Sequence, residues 1–229
     1  MGTYLVIGGS GGIGLALAKQ LYADGATVLA TYNKHPVQNE GIEFIHFDAL
    51  DMASPITFIP DSLDGIAYCP GTINLKPFER LKPQDFEDDF RLQVTGAIRV
   101  IQSALPALKK SGRGSVLLFS SVAVQTGLAY HTQVAASKGA IEGLCRAMAA
   151  EFAPSVRVNC LAPSLTDTPL AASLLNTDSK REANALRHPL KRIGTTADLA
   201  NMAGFLLSEK AAWITGQVLH VDGGMSTLK

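Results

Sequence analysis

Short β-branched or apolar runs alternate with longer stretches of helical periodicity along almost the whole chain, and this alternation constrains the fold more than any other feature of the sequence. It is the pattern of βαβ units wound around a parallel sheet. The expected strands are Tyr4 to Ile7, Thr27 to Thr31, Glu43 to Phe47, Gly65 to Cys69, Val116 to Phe119, Val156 to Leu161 and Val218 to Val221. Helical spacing predicts a helix from Ile13 to Leu21, a long one from Pro83 to Lys110 that Pro106 bends or ends, another from Gln133 to Phe152, and one from Ala197 to Leu207. Pro55 and Pro60 leave room for at most a short helical turn between the third and fourth strands. The fold class that follows is α/β, a doubly wound seven-stranded parallel sheet with helices on both faces. With 229 residues, 47% of them hydrophobic, and no linker or internal repeat, one domain over 1–229 is the expectation.

Between the first strand and the first helix lies Gly8-Gly9-Ser10-Gly11-Gly12-Ile13-Gly14. Glycines there permit a tight turn and close backbone approach, and the N–H groups that open the helix are ready to meet a pyrophosphate. Gly8, Ser10, Gly12, Ile13 and Gly14 are therefore candidate cofactor contacts.

Charge argues against a polyanionic partner. Lys plus Arg and Asp plus Glu number 20 each, so no overall field draws the chain to nucleic acid or to an anionic membrane, and no apolar run reaches membrane-spanning length. Cys69, Cys145 and Cys160 are odd in number and sit among apolar residues, as reduced core thiols do. The N-terminus runs directly into the first strand without a signal-like segment, which leads us to expect a cytoplasmic protein. His35, His46, His131, His188 and His220 lack metal-ligand spacing, so no metal site is expected.

The spacing of Gly8, Gly12 and Gly14 matches the T-G-x-x-x-G-x-G loop of short-chain dehydrogenases, with Ile7 in place of the threonine. Val158-Asn159, Pro163-Ser164 and Thr168 resemble the family's V-N-x-x-x-P-G-x-x-x-T segment, with Ser164 where glycine is usual. Pro189 to Gly194, Ile214 to Gln217 and Val221 to Gly224 match its C-terminal block. The chain thus resembles the short-chain dehydrogenase/reductase family, an NAD(P)-binding Rossmann fold. That resemblance implies that Asp48 meets the adenine, that Gly71, Pro163 and Thr168 flank the cofactor, that Ser121 orients substrate and that Lys138 binds the nicotinamide ribose. It also implies a substrate lid at about 165–190 and a homotetramer or homodimer acting on a small-molecule substrate.

One family residue is absent. A tyrosine normally stands four residues before the lysine, one helical turn away on the same face, and here that position is Val134. Gln93 replaces the asparagine that kinks the long helix and holds a relay water in the family. Tyr130 and His131 are the nearby candidates for a substitute proton donor, and Tyr130 completes a catalytic set with Ser121 and Lys138. The second strand ends in Thr31-Tyr32-Asn33-Lys34-His35 without a carboxylate. An acid there would favour NAD, whereas Asn33 and Lys34 suit the 2′-phosphate of NADP, with NAD as the other choice. The expected function is an NADP-dependent oxidoreductase transferring hydride to or from a carbonyl or enoyl substrate. The alternative is a catalytically impaired NAD(P)-binding protein, a sensor or pseudoenzyme subunit.

Overall fold

The computed structural model describes residues 2–228. Seven strands form one sheet: β1 (Thr3–Ile7), β2 (Thr27–Tyr32), β3 (Ile42–His46), β4 (Gly65–Tyr68), β5 (Gly114–Phe119), β6 (Val156–Pro163) and β7 (Val218–Val221). Their order is β3-β2-β1-β4-β5-β6-β7, and every neighbouring pair is parallel. The seven-stranded doubly wound sheet expected from the alternating pattern is therefore the observed one.

Alternation within each strand divides the core. Leu5 and Ile7, Ile66 and Tyr68, and Val116 and Leu118 face one side, where they pack on α3 (Gly96–Ser111) and α5 (Thr132–Phe152). Val6, Ala67, Leu117 and Phe119 face the other side, against α1 (Gly12–Ala23) and α7 (Thr196–Leu207). Successive side chains of a strand point to opposite faces, so a strand covered by helices on both sides must be apolar throughout. All six residues of β5 are buried accordingly.

The long helix expected from Pro83 to Lys110 departs from regularity in the middle and not at Pro106. It begins as α2 (Pro83–Phe90), widens into a π turn over Arg91–Thr95, and continues as α3 to Ser111. The Tyr68 hydroxyl donates to the Leu92 carbonyl in this turn at 2.6 Å. A Cβ on Gly96 would lie 2.3 Å from that hydroxyl, so only glycine lets the tyrosine reach the helix. Pro106 stays inside α3 because it and Gln102, whose carbonyl loses its donor, lie on the exposed side, while buried Ala107 and Leu108 hold the last turn against the core. Between β3 and β4 the chain forms no helix; Ile56, Phe58 and Ile59 pack on the core directly.

The segment between β6 and α7 holds a 3-10 turn over Pro169–Leu174 and α6 (Asp178–Leu186). A short helix, α4 (Ala123–Thr126), follows β5. Among the described residues no helix is long and apolar enough to cross a membrane.

Candidate active site

Strand order reverses between β1 and β4, and the crevice outside the carboxyl ends of such strands is where open α/β sheets bind ligands. A cleft of about 800 Å³ opens there. Ile7 and Gly8 form one side of its mouth and Cys69, Pro70 and Gly71 the other.

The glycine loop is held to the sheet by the Gly8 N–H, which donates to the buried Thr31 hydroxyl at 2.9 Å. A Cβ on Gly14 would lie 2.4 Å from the Gly8 carbonyl oxygen, so the helix can start this close to the strand only with glycine. α1 has no side-chain cap at its N-terminus and no acidic residue in its first turn. Its positive dipole end and unpaired N–H groups therefore face the cleft without internal competition, which fits a diphosphate.

Gly8, Ser10, Gly12, Ile13, Gly14, Asn33, Lys34, Gly71, Ser121, Lys138, Pro163 and Thr168 all line this one cleft. Asp48 does not. Its carboxylate accepts the Leu50 N–H at 2.9 Å, and the cleft wall at this point is made by its neighbours Phe47 and Ala49. Tyr130 is not brought in either. Helix α5 begins only at Thr132, and Tyr130 precedes it in a left-handed backbone conformation (φ 67°) with 58% of its surface exposed. The expectation that its hydroxyl approaches Ser121 and Lys138 is corrected accordingly. His131 does reach the wall, with Nδ1 2.6 Å from the Ala129 carbonyl.

Lys138 projects from α5 across the end of β5, where Nζ donates to the Phe119 carbonyl at 2.8 Å. Burial lowers its pKa from 10.5 to about 8, while the Cys160 and Asp89 groups push the other way. Val134, one turn earlier, lines the cleft with an aliphatic surface. Ser121 accepts the Ala123 N–H at 3.2 Å through Oγ, which leaves its hydroxyl proton available to a ligand. Cys69 also lines the cleft, but burial pushes its thiol up to about 12, so it is no nucleophile near neutral pH.

Gln93 sits in the π turn, 1% exposed. Its amide nitrogen donates to both oxygens of the buried Asp89 carboxylate, at 2.8 and 2.7 Å, and Asp89 also accepts from the Thr72 hydroxyl. The Gln93 Oε1 is left without a partner. A Cβ on Gly71 would lie 3.3 Å from that oxygen and 3.8 Å from Lys138 Nζ, so bare backbone separates the acceptor from the ammonium. Asp89 and Thr72 carried no recognisable motif in the sequence.

A family model described as enoyl-(acyl carrier protein) reductase matches residues 8–226, nearly the whole chain. The chain belongs to the short-chain dehydrogenase/reductase family. The 3-oxoacyl-[acyl-carrier-protein] reductase MabA of Mycobacterium tuberculosis is 34% identical, over 97% of this chain and 92% of that protein. The corresponding FabG of Aquifex aeolicus is 31% identical, over 96% of each. Among solved structures, ligand-free aldohexose dehydrogenase of Thermoplasma acidophilum superposes with a TM-score of 0.89 at 25% identity, covering 100% of this chain and 95% of that one. As a short-chain dehydrogenase/reductase, the chain is a hydride-transfer oxidoreductase. In this chain the glycine loop, Lys138 and Val134 line one cleft.

Proposed function

We propose that this chain is an NADP(H)-dependent reductase of a carbonyl group borne on an apolar, acyl-like substrate. The observation that carries the proposal is the continuity of one cleft. It runs from the uncapped start of α1, past Asn33 and Lys34, to Ser121 and Lys138, and on to Leu128, Leu165, Leu170 and Leu174. NADP(H), when bound, supplies the hydride. The N–H groups of Gly12 to Gly14 would hold its diphosphate, Lys34 and Asn33 its 2′-phosphate, and Thr168 and Lys138 its nicotinamide half. Gly71 and Pro163 would frame that half, while Phe47 and Ala49 take the adenine end. Ser121 would orient the substrate oxygen, and segment 165–190 would cover the apolar tail. The names of the two bacterial 3-oxoacyl relatives support a 3-oxoacyl thioester as the first substrate to try.

Small residues on the exposed side of α5, Ala136 and Gly143 among them, together with the free edge of β7, support self-association as a dimer or tetramer, which light scattering would test.

The reading is tested by NADPH oxidation with acetoacetyl-CoA and longer 3-oxoacyl thioesters, in parallel with calorimetry of NADPH and NADH. NADPH binding with turnover supports it. NADPH binding without turnover on any carbonyl or enoyl thioester favours instead a binding protein that has lost catalysis, the reading that Val134 motivates.

A further inference from the structure

Ser164 and His188 form a hydrogen-bonded pair in the cleft wall that the dinucleotide contacts proposed above do not use. Ser164 follows Pro163 at the end of β6, and the Pro163 carbonyl accepts the Val122 N–H at 3.1 Å, which brings Ser164 to the same end of the sheet as Ser121. Its Oγ lies 2.8 Å from His188 Nε2 and 3.0 Å from Met225 Sδ. His188 Nδ1 lies 2.8 Å from the Asn184 carbonyl oxygen. A carbonyl can only accept, so Nδ1 carries a proton, and in the neutral form of the ring the Nε2 lone pair faces Ser164. A thioether accepts weakly, so the Ser164 proton goes to the imidazole.

His188 is 3% exposed, yet Ser164, His188, Asn184 and Met225 line the same cleft as Ser121, Val134 and Lys138. A hydroxyl backed by an imidazole whose far nitrogen is fixed by a third group is an arrangement built to move a proton. Glycine, usual at position 164 in the family, would leave no hydroxyl there.

We propose that the Ser164–His188 pair performs the proton transfer for which Val134 offers no group. The proposal rests on the oxidoreductase reading above. In alcohol oxidation the substrate O–H bond breaks as its proton passes to Ser164 Oγ, and Ser164 passes its own proton to His188 Nε2, leaving an imidazolium. Bound oxidised nicotinamide dinucleotide would supply the acceptor for the hydride and its electron pair, while the proton stays with the Ser164–His188 pair. In the reverse direction the imidazolium returns a proton through Ser164 to the substrate oxygen. The charged and titratable groups around the ring are Arg187 and Lys191 on its own segment, and His220, Asp222, Asp198 and Arg192 across an adjoining smaller cavity. Of these, Arg192 is paired with Asp198 at 2.6 Å, and Asp222 accepts the Gly224 and Ser226 N–H groups at 2.8 Å.

The first test is histidine ¹⁵N NMR on the wild-type protein, in which neutral His188 is expected as the Nδ1–H tautomer. The second compares Ser164→Gly and His188→Gln with wild type, using NADPH affinity as the measure of intact folding. Ser164→Gly is expected to lower turnover about 100-fold with NADPH affinity kept within about threefold. His188→Gln is expected to lower turnover as far as Ser164→Gly does and to change the pH profile of alcohol oxidation, because the amide offers no basic lone pair to take the Ser164 proton. An Nε2–H tautomer, or variants that keep wild-type turnover and pH profile, would overturn the role of the pair while leaving the oxidoreductase reading intact. A wild-type protein inert on every substrate would sink that reading and the pair with it.

Discussion

Replacing Lys138 by methionine should stabilise the protein without cofactor while weakening its hold on one. Burial lowers the Lys138 pKa from 10.5 to about 8, which corresponds to about 3 kcal/mol against the charged form in the folded chain. At pH 7 the ammonium is still mostly protonated and the fold bears most of that cost. Methionine removes it and keeps a stem of similar length. Against this stands the Phe119 carbonyl, which loses its donor at 2.8 Å and costs roughly 1–2 kcal/mol if water from the cleft replaces it only in part. The expected net gain is about 1–2 kcal/mol at pH 7. The sign with pH follows from linkage. Between pH 8 and 10.5 the unfolded chain holds a proton on this lysine that the folded chain has released, so wild-type stability rises with pH across that window and the advantage of the variant shrinks. Urea unfolding of both proteins at pH 7 and pH 10, without dinucleotide, measures this directly, since titrating groups that do not interact with Lys138 cancel in the difference. A variant less stable than wild type at pH 7, or a gap that does not close by pH 10, would refute the reasoning. NADPH affinity should fall in the same variant at both pH values.

Three further outcomes are expected. Lys34→Ala should weaken NADPH about tenfold and leave NADH unchanged in calorimetry, because one charge-assisted contact to a 2′-phosphate is lost and the other dinucleotide has none. Tyr130→Phe should leave steady-state turnover within about twofold of wild type, since Tyr130 is 58% exposed and does not line the cleft. Thr195→Ala should lower stability by about 1 kcal/mol in thermal or urea unfolding, because Thr195 and Asp198 cap the start of α7 reciprocally at 3.2 and 2.8 Å.

Most of the architecture was legible because burial on both faces writes apolar runs directly into the sequence, as at Val116 to Phe119, and because the glycine loop stands between a strand and a helix. Strand ends shifted by only a residue or two, where hydrogen bonding to a neighbour extends a run past its apolar residues, as for Gly114 and Ser115 in β5. The family resemblance marked position 93 as the place where the long helix kinks, but the kind of irregularity, a π turn over Arg91–Thr95, was not legible, and there the Tyr68 hydroxyl, distant in sequence, reaches the Leu92 carbonyl past Gly96. Pro106 misled in the opposite sense, because a proline on the exposed side of a well-packed helix costs only one bond that water can replace. In the site, residues set by the loop and by strand ends were readable from spacing. Tyr130 was not, because its left-handed backbone conformation and the start of α5 only at Thr132 are not written in the local spacing. His188 lies 24 residues from Ser164, and only folding of the segment after β6 brings them together. The one local hint was Ser164 itself, a serine where the family has glycine.

The most direct test of the account is calorimetric titration of the purified protein with NADPH, repeated on Gly14→Val. The account predicts one dinucleotide per chain for wild type and none for the variant, whose added side chain would enter the space held by the Gly8 carbonyl. Absence of binding to NADPH and NADH alike in the folded wild-type protein, or undiminished binding by the variant, would contradict it.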